Sequence, residues 1–146
     1  MVLHIAALFV AGEATLDDDG AINATGIPTT SFEVDQIPLW TEIPVVLVVH
    51  AAAGGDYDPN IYVACKDPDG APCGVLQTAW HWPDDGDRPS KYRCFSQQLS
   101  FGIQTEGEYT VGVYYDEQAN IEMATPVPVS ITLTATSPAA DNGDDA

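Results

Sequence analysis

The chain has 146 residues and a hydrophobic fraction of 45%, enough for one domain with a buried core and too apolar for wholesale disorder. Its 22 acidic residues stand against 4 basic ones, a formal net charge of −18. A field of that sign repels nucleic-acid phosphates and anionic lipid headgroups, so it disfavours both as direct partners and favours cations and basic proteins.

Short apolar segments punctuated by Gly, Pro, Asn and Asp recur along the chain, with no sustained helical periodicity. The first predicted strand is Leu3 to Ala11. It lacks a basic leader, is interrupted by His4 and is followed by no clear cleavage site, so it reads as a strand and not as an export signal. No window reaches the roughly 18 apolar residues of a membrane span. The expected protein is soluble and cytoplasmic. A turn at Asp17 to Gly20 leads to a short strand, A-I-N-A-T-G-I, and then to T-T-S-F-E-V, Thr29 to Val34. A loop is expected from Asp35 to Pro44, because it carries Pro38 and Pro44. Val45 to Val49 are apolar on both faces and predict a central strand covered on each side.

In I-Y-V-A-C-K, Ile61, Val63 and Cys65 share one face, and Tyr62 and Lys66 the other. Asp67 to Gly70, D-P-D-G, has the composition of a tight turn. Beyond it Leu76, Thr78, Trp80 and Trp82 fall in phase, and then Phe95, Leu99 and Phe101 in the run Tyr92 to Gln104. The last strand, V-P-V-S-I-T-L-T, puts Val127, Val129, Ile131 and Leu133 on one side. Its prolines, Pro126 and Pro128, predict that it begins at a sheet edge. Eight to nine short strands with little or no helix predict an all-β, antiparallel two-sheet sandwich over residues 1–136. Residues 137–146 are expected to be a disordered acidic tail.

One stretch carries a finer architectural signal. In T-E-G-E-Y-T-V, Gly107 stands two residues before Tyr109, and Val111 and Val113 continue on the tyrosine's face. This resembles the D-x-[GA]-x-Y-x-C corner of immunoglobulin-type domains, in which a buried tyrosine sends its hydroxyl back to an upstream carbonyl. Thr105 stands in place of the Asp and Val111 in place of the Cys, so the resemblance implies no inter-sheet disulfide. The order of elements as a whole is similar to uncharacterised bacterial β-sandwich proteins of about this length. The pieces that carry it are Ala6 to Ile27, Pro44 to Val49, Asp67 to Gly70 and Phe101 to Val113. That likeness implies an immunoglobulin-like fold and no assigned activity.

Chemistry is sparse. His4 and His50 sit on apolar strands and read as packed imidazoles, and no G-x-S-x-G is present, so the expected protein is not an enzyme. The three cysteines, Cys65, Cys73 and Cys94, are read as reduced thiols. Cys65 and Cys73 nonetheless flank the Asp67 to Gly70 turn symmetrically, and in an oxidising compartment a disulfide between them is an open alternative. Aspartates recur in turns, and Asp56, Asp58, Asp67 and Asp69 are the candidate calcium ligands, since hard cations need converging carboxylates. No other cofactor is expected. W-H-W has two readings: Trp80 and Trp82 as core indoles with His81 solvated, or as an exposed contact surface together with the nearby Arg88, Lys91 and Arg93.

The leading functional expectation is a non-catalytic sandwich for protein–protein contact or assembly, with an unidentified and basic protein partner. A calcium- or ligand-binding module using the acidic loops is the alternative, and an acidic mimic that inhibits a nucleic-acid-binding protein is another. The acidity also has a bland reading, a salt-rich habitat or a GC-rich genome, which the composition favours over a specific partner. Self-repulsion favours a monomer or a weak homo-oligomer.

Overall fold

The computed structural model describes residues 2–84 and 87–134. Over these residues the backbone forms ten strands and no helix. In chain order they are β1 (His4–Val10), β2 (Glu13–Leu16), β3 (Ile22–Thr25), β4 (Ser31–Val34), β5 (Leu39–Ala52), β6 (Asn60–Lys66), β7 (Pro72–Ala79), β8 (Ser90–Ile103), β9 (Gly107–Tyr114) and β10 (Val127–Leu133). They make a three-stranded sheet ordered β1-β5-β8, a five-stranded sheet ordered β4-β10-β9-β6-β7, and the hairpin β2-β3. β4 runs parallel to β10, and the other ladders are antiparallel. Among the described residues no helix is long and apolar enough to cross a membrane. The acidic-tail expectation for 137–146 lies outside the described residues.

The two larger sheets share one core. Leu47, Val49 and Leu99 from the three-stranded sheet join Val63, Val111 and Ile131 from the five-stranded one in a single apolar cluster. Each such side chain, fully withdrawn from water, contributes about 1.5–3 kcal/mol. The strand phases read from sequence hold here: Ile61, Val63 and Cys65 all point into this core.

Three departures from expectation have clear causes. The tenth strand is β2, which follows Gly12 and is held by β3 across the turn at Asp17. Asp17 Oδ1 accepts from the amides of Asp19 and Ala21 and shapes that turn. The hairpin lies over the outer face of the three-stranded sheet, where the Ser96 hydroxyl donates to the Ala14 carbonyl at 3.0 Å. This is why Val46 is buried as well as Val45 and Leu47. Second, Leu39 to Pro44 is strand and not loop, because β5 pairs with β8 from Leu39↔Ile103 onward. Pro44 is tolerated because its carbonyl, accepting from Ala11, faces the β1 side just beyond the last rung Val10↔Val45. Its missing N–H therefore costs the β8 ladder nothing. Third, the sheets are not wholly antiparallel as expected, because β4 enters beside the second half of β10 and runs parallel to it. β4 pairs with it from Ser130, so Val127 to Val129 form an edge, as the prolines required.

Candidate functional site

Lys91 stands near the start of β8, in phase with the core residues of that strand and opposite Ala51. It is only 5% exposed. Its ammonium donates to the carbonyls of Gly55 (2.9 Å), Trp82 (3.3 Å) and Pro83 (2.9 Å). The rings of Tyr57 and Trp82 lie 4.7 and 5.1 Å from the same nitrogen. The lysine thus closes one end of the core by gathering two loops, the one before β6 and the one after β7. Those loops are also tied by reciprocal backbone bonds between Tyr57 and Trp82. Asp56 Oδ1 accepts from the Asp84 amide, and Asp84 Oδ1 from the Gly54 amide.

Outside this plug lies a cleft of about 790 Å³. The β2–β3 turn, Asp17 to Ala21, forms one wall, and Trp82, Pro83 and Arg88 another. Tyr92, Arg93 and Cys94 of β8 also line it. Arg88 and Arg93 are exposed, and among the described residues neither makes an ion pair with a carboxylate within 4.0 Å. In a chain with 4 basic residues this is a concentration of cationic groups, and it faces the exposed aspartates Asp18 and Asp19. Next to the cleft, Tyr92 continues a row of rings across the outer sheet face. Its ring lies 5.4 Å from that of His50, which stacks on His4 at 5.0 Å. Both histidines are therefore packed on one another.

The expected contact surface is divided by the structure. Arg88 and Arg93 belong to the cleft. Trp80 and Trp82, at 9% and 4% exposure, are core indoles, with Phe95 edge-on to Trp80 at 4.9 Å. His81 is solvated between them and meets Asp58 at 2.9 Å. Lys91 is buried because its strand phase points it inward, where carbonyls replace its hydration shell. The structure does not bring the calcium set together. Asp56 and Asp58 sit before β6 and Asp67 and Asp69 after it, separated by a seven-residue strand, about 20 Å. Asp67 is engaged within its own turn, accepting from the amides of Asp69 and Ala71. Among the described residues no group of three or more His, Cys, Asp or Glu side chains is placed to hold a metal ion.

At the opposite end of β8 the corner forms as expected. Tyr109 is 1% exposed, and its hydroxyl donates to the Thr105 carbonyl at 2.7 Å. Burial pushes its pKa up. Gly107 has φ +144°, and a Cβ there would lie 2.7 Å from Pro68 Cγ, so the corner and the β6–β7 turn fit only through glycine. Glu106 and Glu108 are exposed, but Glu106 also accepts from the Leu133 amide at 2.6 Å and ties the corner to the end of β10. No protein-family model and no curated protein sequence matches the chain.

Proposed function

We propose that the chain is an immunoglobulin-like two-sheet sandwich that acts as a non-catalytic protein-interaction module through the cleft beside β8. The architectural part is supported by the order β1-β5-β8 against β4-β10-β9-β6-β7, by the parallel β4–β10 pair and by the Tyr109 corner at the start of β9. It extends the likeness to uncharacterised bacterial sandwich proteins, which carries no activity. One observation carries the functional part: Arg88, Tyr92 and Arg93 line a cleft that Asp17 to Asp19 also line, in a chain of net charge −18. Arginine and tyrosine on a rigid strand are the residue types that dominate interface energetics. The partner that fits has mixed charge, with a carboxylate for the guanidiniums and a basic group for Asp18 and Asp19. Nucleic acid and membrane surfaces remain disfavoured by the net charge.

A second reading follows from the size of the cleft, which lies within the roughly 300–1,000 Å³ of small-molecule sites. A small zwitterion would satisfy the same two walls. The test is capture by the immobilised chain in high salt, parent against Arg88→Glu/Arg93→Glu. The interaction reading expects a defined protein retained by the parent and released by the variant. Equal retention by both sinks it. A thermal shift of the parent with amino acids, and no retained protein, transfers the cleft to the second reading.

A further inference from the structure

The β6–β7 hairpin holds two thiols that the cleft does not use. Its rungs run in one register from Asn60↔Ala79 to Cys65↔Gly74 and then shift, so that Lys66 meets Pro72. The shift leaves Cys73 as an extra residue beside the Cys65–Lys66 step. A bulge re-aims the side chain of its extra residue, and here Cys73 packs against the same core as Cys65. Gly74, next to it, has no room for a side chain at all: a Cβ would lie 2.2 Å from the Ser100 carbonyl oxygen. The space beside Gly74 is taken by Ser100 and Phe101 of β8. Cys73 Sγ lies 3.4 Å from the Cys65 carbonyl oxygen, so the thiol of Cys73 is turned toward Cys65. A disulfide spans Cα atoms roughly 4.4–6.8 Å apart, and the bulge sets Cys73 beside the Cys65↔Gly74 rung.

The two thiols are not equivalent. Cys65 is 1% exposed, whereas Cys73 is half-buried on β7, the edge strand of its sheet. The neighbouring Cys65 side chain holds the Cys73 thiol below its ordinary range, while Cys73 and burial hold Cys65 well above it. Cys73 is thus the sulfur that ionises first and the one that an outside reagent reaches.

We propose that Cys65 and Cys73 form a thiol–disulfide exchange site that takes a low-molecular-weight disulfide of the glutathione class. The Cys73 thiolate attacks one sulfur of that disulfide, whose S–S bond breaks. The leaving thiolate departs with the electron pair and takes up a proton. Cys65 gives its proton to solvent and attacks the Cys73 sulfur, expelling the second small thiolate, which is protonated in turn. The protein has lost two hydrogens and two electrons, and the reagent has become two thiols. The new bond ties the hairpin together just above its turn, whose Pro68 packs against Gly107 at the Tyr109 corner.

The reduced full-length chain is incubated with oxidised glutathione, and intact mass and peptide maps are read. The expected product is a Cys65–Cys73 bond, with a loss of about 2 Da and a melting temperature raised by about 5 °C or more. Cys94→Ser reacts as the parent does. Cys65→Ser stops at a glutathione adduct on Cys73, and Cys73→Ser forms no internal bond. The parent map stands alone should a variant fail to fold. Adducts on Cys94 alone, separate adducts on Cys65 and Cys73, or a bond that forms no faster in the native chain than in urea overturn the proposal; the expected native advantage is about tenfold or more.

Discussion

The two ends of β8 are closed by different chemistry. At its far end Tyr109 brings a neutral hydroxyl to a single carbonyl, that of Thr105. Near its start Lys91 brings a full charge to three carbonyls and two aromatic rings. The first arrangement adds one hydrogen bond to a packed ring. The second makes the fold of two loops conditional on one ammonium group, because a buried charge without its partners is costly and so are partners without the charge. The end with the more demanding closure is also the end that carries the cleft, so the walls of the cleft are set by Lys91 rather than by the sheet alone.

The largest expected effect is at Lys91. Lys91→Ala removes the stem and leaves three carbonyls without their donor, at a cost of about 3 kcal/mol or more in urea unfolding. Lys91→Met restores the volume and not the donor; recovery of most of the loss would show that packing, and not the charge, closes this end. Gly107→Ala should come next, at about 2 kcal/mol, from a left-handed backbone and the contact with Pro68. Tyr109→Phe removes one hydrogen bond, about 1 kcal/mol. If it costs as much as Lys91→Ala in the same titration, the contrast between the ends fails.

A smaller effect is set by pH. Burial raises the pKa of Tyr109, so the folded chain keeps its proton at a pH where the unfolded chain has lost it. The stabilisation is complete below about pH 10, the ordinary tyrosine range, and is lost as pH rises above it. Melting curves across that range should fall less steeply for Tyr109→Phe than for the parent. The smallest change is Asp58→Asn, whose contact with His81 is exposed; a shift in unfolding free energy within about 0.5 kcal/mol is expected.

The corner was legible because it is local. Gly107, Tyr109, Val111 and Val113 state the turn, the anchor and the strand phase within seven residues. Val45 to Val49 announced burial on both faces, though not the β2–β3 hairpin that covers the second one. That hairpin was hidden because Glu13 to Leu16 becomes a strand only through its partner. Lys91 was read as surface because a lysine is usually there, and its strand phase opposite Ala51 was the overlooked signal. The cleft joins residues some seventy positions apart, and only the lie of the hairpin over β8 brings Asp17 to Arg88 and Arg93. The cysteine pair was half-visible: the symmetric spacing is in the sequence, and the bulge that sets the register is not.

The parallel pairing of β4 with β10 has a mechanical consequence. A pull that draws the beginning of β4 and the end of β10 apart runs along both strands, because they point the same way. The rungs from Ser31↔Ser130 to Val34↔Leu133 then carry the load together and must yield together, in shear. An antiparallel pair pulled from adjacent ends opens one rung at a time. Four residues of β4 thus make the seam between the first and last parts of the chain a clasp that resists traction far better than its length suggests.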